Sequence, residues 1–394
     1  MHITKFFVAF FIYLFFSIVF PFADIYVKRY KVDNAKIFVF LNPSLNLSSV
    51  GFVVTRGARN ENPKYYGITH LWEHLFFRNS IGSKRVKDVL IGMKYNATTY
   101  NDYISFYAVG DQNKALKTFL FSIFNPNFNV EDFELEKNIV ITELAMKNFS
   151  FPNIFRVYTN PTGGRIETLN NITYEVMLQF LKEIKREDLC YFVAAKDKII
   201  DLSIFEEFYG SLPVDDGEFR ISLDSLTENE IYQNYKDYRK YVSSIDFDIF
   251  INEEGIWIYH VSGEFTDQHI FFNDMIANNI DQKFSKDLAF KRKLKESWGI
   301  NNLEAFAYPQ EYENALVIFL ESNMYDSNKE RVKEYLVDVI RSITYQDFRK
   351  TYYSLYLDLL DSFSDSWKFC QIIPFFVYNQ RWQILNYYVR GCRD

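Results

Sequence analysis

The stretch GITHLWEHLFF, residues 67–77, carries two of the chain's five histidines, His70 and His74, with Glu73 directly before the second. Its apolar residues Leu71, Leu75 and Phe76 recur near helical spacing, which predicts a helix. On a helix, His70 and His74 lie one turn apart on one face, so both imidazoles can reach one cation. Glu73 projects beside that face, within reach of a water on such a cation and without being a ligand itself. The bland alternative is a packed helix whose histidines are satisfied by backbone carbonyls. Histidine is scarce in this chain, so a pair at this spacing with a glutamate in this place favours the metal site.

Two histidines leave a catalytic zinc one protein ligand short, and in peptidases that ligand is typically a carboxylate. NVEDFELEKNIVITELAMKNF, residues 129–149, reads as a long amphipathic helix with acids in its first turns, where the helix dipole favours them. It offers Glu136 and Glu143, two turns apart along one face. Both fit a solvated charged face together with Glu131, Glu134 and Lys137. Glu143, however, stands in the apolar run IVITELAM, which predicts burial, and a buried carboxylate needs a partner such as a divalent cation.

The elements that must position these residues alternate along the chain. AKIFVFLNP and SSVGFVVTRGARNE read as strands, YISFYAVG as another, and DQNKALKTFLFSIFNP as a helix ending at Pro126. NITYEVMLQFLKEIKREDLCYFVAAKDK reads as helix then strand, and SIFEEFYGSLPVDDGEF as helix then exit loop. Pro213, Asp215, Asp216 and Gly217 mark the expected domain boundary. Beyond it, GIWIYHVSGEF, a helical 269–299, strand-like ENALVIFLES and helical NKERVKEYLVDVIRSI repeat the same order. The expectation is an α+β chain of two similar domains, each a mainly antiparallel sheet packed with helices: a catalytic domain over 25–213, a linker over 214–235 and a second domain over 236–394.

With 394 residues, 48% hydrophobic and 24% charged, the chain can bury two ordinary cores. Its 41 Phe and 29 Tyr read as compositional bias rather than as a binding surface. A net charge of -7 without a Lys/Arg block argues against nucleic acid as a partner. Cys190, Cys370 and Cys392 form no CxxC pair and read as isolated thiols, a Cys370–Cys392 disulfide being the alternative. Residues 1–24 have a short basic start, an apolar run from Phe6 to Phe20, then Pro21 and Ala23. That is the layout of a secretory signal peptide, with an uncleaved N-terminal membrane anchor as the runner-up, and it predicts a periplasmic or secreted protein.

VTRGARNENPKYYGITHLWEHLFFRNS resembles the segment that carries the inverted zinc motif HxxEH in the insulinase/pitrilysin (M16) peptidase family, relatives of the mitochondrial processing peptidase. KYNATTYNDYISFYAVG is similar to that family's Asn-Ala-Thr segment, and FELEKNIVITELAMKN to the helix that brings its third ligand. The resemblance runs over most of residues 35–345. It implies one Zn2+ per chain held by His70, His74 and Glu143, with Glu73 as general base and Glu136 as an electrostatic or orienting residue behind it. Asn96 and Ala97 would bind the backbone of a peptide substrate added to a sheet edge. The implied activity is that of a zinc metalloendopeptidase on extended or unfolded peptides; the alternative is a non-catalytic core or assembly subunit of a processing-peptidase-like complex.

One part of the family pattern is missing. The Arg and Tyr that relatives carry seven residues apart in the second domain for substrate binding fall here on Lys295 and Asn302. Lys295 keeps the charge but lacks the planar fork, and Asn302 has no phenolic hydroxyl. The resemblance therefore implies a homo- or hetero-dimer in which a homologous chain supplies the Arg/Tyr pair.

Overall fold

The computed structural model describes residues 24–146, 162–197, 201–252, 255–262, 266–309, 313–322 and 328–393. The apolar segment read as a signal or anchor therefore lies outside the described residues but for Asp24, and among the described residues no helix is long and apolar enough to cross a membrane.

The first half is built on an eight-stranded sheet. β1 (Ile25–Val32) and β2 (Ala35–Leu41) form a hairpin whose two turn residues, Asp33 and Asn34, both take positive φ, as a tight turn between twisted strands requires. β3 (Ser49–Val54), β7 (Ile104–Val109) and β8 (Leu189–Ala195) are buried at every position because both faces of the sheet are covered, so their sequences read as apolar runs without alternation. At Gly51 in β3, any Cβ would stand 2.3 Å from the Phe192 ring and 2.4 Å from the Phe106 carbonyl oxygen, which excludes a side chain there. β4 (Ser80–Ile81) and β5 (Lys84–Arg85) form a separate two-residue ribbon. With β6 (Lys94–Thr99), β9 (Val214–Ser222) and β14 (Gly391–Arg393), the sheet order is β14-β9-β1-β2-β8-β3-β7-β6. Neighbours are antiparallel except β2 and β8, and β6 is an edge.

Helices α1 (Ile68–Phe76), α2 (Val86–Val89), α3 (Gln112–Phe124), α4 (Val130–Met146), α5 (Ile166–Asn170), α6 (Tyr174–Lys182) and α7 (Glu206–Tyr209) belong to this half. The second half holds α8 (Glu228–Ser244), β10 (Asp248–Asn252), β11 (Gly255–Ser262), α9 (Asp267–Lys286), α10 (Leu288–Trp298), β12 (Ile300–Pro309), β13 (Asn314–Ser322) and α11 (Lys329–Arg341). Its sheet is antiparallel in the order β10-β11-β13-β12. The single helix read over 269–299 breaks at Asp287, whose carboxylate caps the amides of Ala289 and Phe290.

Two expectations are corrected. Residues 214–222 are no linker: they form β9, paired with β1. The turn-forming Asp215-Asp216-Gly217 is the site of a β-bulge, where the register shifts opposite Arg29 and Tyr30 and Gly217 takes a φ of 100°. Nor does the C-terminal region belong to the second half alone. α12 (Tyr345–Ser364) leads to α13 (Ser366–Asn379), which lies on the face of the first sheet opposite α1, and β14 then extends that sheet. Phe40 packs edge-on to Phe369 at 5.3 Å and against Trp382 at 5.8 Å. A sheet with two apolar faces must cover both, and this chain covers the second with its own C-terminus. No disulfide joins the described cysteines, so the alternative Cys370–Cys392 bridge is not formed.

Asn42, fully buried, fastens this closure by donating to the Phe363 carbonyl at 2.7 Å and accepting from the Ser44 amide at 3.0 Å. Asn42→Ala leaves that carbonyl unpaired and is expected to cost about 1–3 kcal/mol. Chemical unfolding would read this as a lower midpoint with an unchanged slope; an unchanged midpoint would mean that the fastening contributes nothing.

Candidate metal centre

α1 begins at Gly67, in the left-handed region at φ 97°, with no side chain to cap the helix. The buried Glu61 does it instead: its carboxylate accepts from the Gly67 amide at 2.7 Å, the Thr69 amide at 2.9 Å and the Thr69 hydroxyl. Burial pushes the Glu61 carboxyl up to about 7, against the opposing pull of the hydrogen bonds from Thr69 and Gly67. A carboxyl raised in the fold adds stability that is complete below its ordinary value and is lost as pH rises through about 7. A proton released by the folded protein near that pH is therefore expected, visible as loss of a carboxylic infrared band, and absent from Glu61→Gln. Persistence of the band change in the variant would assign it elsewhere.

One side of α1 carries Ile68, Leu71, Trp72, Leu75 and Phe76 into the core, where Phe76 meets Phe106 at 4.3 Å and Trp72 meets it at 5.2 Å. The other side presents His70, Glu73 and His74 toward α4 and β6. His70 Nε2 lies 3.8 Å and His74 Nε2 3.7 Å from the same oxygen, Glu143 Oε2. One ligand atom from each of these three residues lies within 4.8 Å of the other two. Two donors each about 2.1 Å from a shared cation stand up to about 4.2 Å apart, so both contacts to Glu143 suit a common zinc. Two imidazoles and a carboxylate are also the donor set that zinc takes where a fourth position stays open.

Glu143 departs from expectation in one respect: its side chain is 43% exposed, not buried. α4 sinks Phe133, Glu136 and Val140 into the core, and its last turn rises out of it. Glu136 is the buried carboxylate of the pair. It lies 3.1 Å from His74 Nδ1 and accepts from Arg78, which leaves His74 Nε2 toward Glu143. Burial would raise the Glu136 carboxyl, but the bonds from His74 and Arg78 outweigh it and hold the group below the usual range. Burial likewise draws His74 down, and the Glu136 bond with the charges of Glu143 and Glu73 carries it above its ordinary value.

Glu73 is half-buried beside this set and accepts a 2.7 Å hydrogen bond from the Thr99 hydroxyl of β6. Burial raises its carboxyl, the Thr99 bond and the His74 charge pulling the other way. Ala97 is buried on the α1 side of β6, whereas Asn96, paired with Tyr107 across the ladder, faces the opposite side. What β6 can offer an added peptide strand is thus its backbone edge. Lys295 lies exposed on α10, and the Asn302 amide donates to Glu304 two residues on in β12.

Three residues of the site escape the sequence reading: Glu61, Arg78 and Thr99. Arg78 stands four residues after His74, a spacing that places it one turn on. Thr99 shares the strand face of Ala97, two residues earlier, by simple alternation. Glu61 reaches the helix through a loop and follows no local rule.

Residues 38–175 match the family model described as Insulinase (Peptidase family M16). The chain is 32% identical over 182 residues to the uncharacterized zinc protease YmxG of Bacillus subtilis (strain 168), covering 41% of this chain and 44% of that protein. It is 24% identical over 185 residues to cytochrome b-c1 complex subunit 1, mitochondrial, of Saccharomyces cerevisiae, covering 40% of each. The chain thus spans less than half the length of these curated relatives. The fold is similar to that of a protease from Helicobacter pylori, with a TM-score of 0.66 at 13% identity over 92% of both chains. Residues 38–175, which carry the HxxEH helix and the downstream Glu143, are thus similar to the insulinase family, peptidase family M16.

Proposed function

We propose that the protein is a zinc-dependent endopeptidase that hydrolyses extended or unfolded peptides. The observation that carries this reading is the convergence of His70, His74 and Glu143 beside Glu73, at the free edge of the first sheet. His70, His74 and Glu143 would hold one zinc, which when bound polarises a carbonyl and makes water acidic enough to react at neutral pH. Glu136 fixes the ring of His74, and Arg78 fixes Glu136. A peptide added along the β6 edge is aligned by backbone hydrogen bonds, which suits extended chains and excludes folded ones. Glu73 takes the proton from the attacking water and passes it to the leaving amine. Its raised carboxyl pKa makes it a stronger base than an exposed glutamate.

A second reading, a non-catalytic subunit of a larger assembly, draws on Lys295 and Asn302 occupying the places of the Arg/Tyr pair and on the similarity to a cytochrome b-c1 complex subunit. A homologous partner chain supplying the Arg/Tyr pair would reconcile it with catalysis. The deciding experiment is cleavage of a quenched-peptide library by the purified chain, assayed zinc-depleted and zinc-restored, alone and with a homologous chain. Zinc-restored turnover establishes the peptidase; none under any of these conditions, with zinc bound, establishes the second reading. We place the protein outside the cytoplasm on the strength of residues 1–24. N-terminal sequencing of exported material, expected to begin near Ile25, tests this, and a cytoplasmic chain would refute it.

A further inference from the structure

A cavity of about 470 Å³ lies between the two halves, against the segment that follows β6. Its wall includes Tyr100 to Tyr103, the end of β12, and side chains from α9, α12 and α13. The volume falls in the range of small-molecule sites. Most of the lining is apolar or aromatic, with Tyr103, Tyr308, Phe375 and Tyr388 among the rings, and Tyr103 lies 5.0 Å from the Tyr378 ring. The charged residues of the wall are all acidic: Asp102, Asp274 and Asp358.

Asp102 is already balanced by Arg59, 3.0 Å away. Asp274 accepts the Tyr388 hydroxyl, a neutral donor that leaves its charge uncompensated. Burial pushes its carboxyl up to about 6, the Tyr388 bond opposing. Asp358, on the exposed side of α12, adds a second carboxylate at the wall. Aromatic faces and carboxylates around an apolar space attract the same kind of guest, because both the ring quadrupole and the anion favour a weakly hydrated cation.

We propose that this cavity is a binding site for a small organic ammonium ion, an apolar body carrying one positive charge, with Asp274 and Asp358 as its counter-charges and the surrounding rings as its cage. The proposal does not depend on the peptidase reading, since none of these residues belongs to the metal centre.

Calorimetric titration of the full chain with benzyltrimethylammonium chloride tests it, with benzyl alcohol as the neutral probe of similar shape. Saturable binding of the ammonium is expected, with the alcohol at least about tenfold weaker, the worth of one desolvated cation–π contact. Asp274→Asn should weaken the ammonium about tenfold and leave the alcohol unchanged. Asp358→Asn, at a solvent-exposed position where folding is not at stake, should act in the same direction, and melting curves verify both variants. Equal affinity for the two probes, no saturation of the wild type by about 10 mM, or full affinity in Asp358→Asn and in a folded Asp274→Asn would each overturn the assignment.

Discussion

Glu73→Gln is expected to lower peptide hydrolysis by at least about a thousandfold while zinc content stays at the wild-type level. General base catalysis by a positioned side chain contributes about 10²–10⁴-fold, and this carboxylate has the features the role needs: partial burial, a raised pKa and a fixed orientation from Thr99. Glutamine keeps the size and can still accept the Thr99 hydroxyl, so the fold and the histidine set are spared while the basic oxygen is lost. Thr99→Val leaves the base but frees its carboxylate, and a smaller loss of about tenfold in kcat is expected. The pair separates chemistry from positioning. Undiminished turnover in Glu73→Gln, measured with the same peptide and the same zinc loading, would remove Glu73 from the mechanism.

His74→Ala is expected to abolish stoichiometric zinc binding. Groups that merely orient a ligand histidine already contribute about 10–100-fold to metal affinity, and that is the loss expected for Glu136→Gln, since Glu136 meets His74 Nδ1 at 3.1 Å. Deleting the imidazole itself removes one donor of the three that cluster within 4.8 Å and also leaves the buried Glu136 with Arg78 alone. Equilibrium dialysis followed by metal analysis reads both variants on one scale. The expected order of zinc affinity is wild type, then Glu136→Gln, then His74→Ala; retention of one zinc per chain in His74→Ala would place the metal elsewhere.

Much of the chemistry was legible from local pattern. His70 and His74 at helical spacing need only a helix to share a face, and Leu71, Leu75 and Phe76 ensured that helix by giving it one apolar side. Glu136 and Glu143 are likewise two turns of one helix apart. The same local logic misread Asp215 to Gly217 as a loop, because turn-forming residues serve a β-bulge as well as a chain reversal and only the strand alongside decides which. It also misjudged Glu143, because apolar neighbours in sequence do not bury a residue whose turn of helix has left the core.

Residue type and short-range periodicity by themselves determined the histidine pair, the candidate carboxylates and the alternation of strands and helices, since each depends on spacings within about two helical turns or one strand. Tertiary structure alone decided how the candidates are tuned and enclosed. Glu61 caps the histidine helix from a preceding loop, Glu136 rather than Glu143 is the carboxylate pressed into the core, Thr99 reaches Glu73 from another strand, and α13 seals the back of the first sheet. These are contacts between segments far apart in sequence. They form because buried polar groups must find partners and a sheet with two apolar faces must be covered on both, demands that no local stretch can meet by itself.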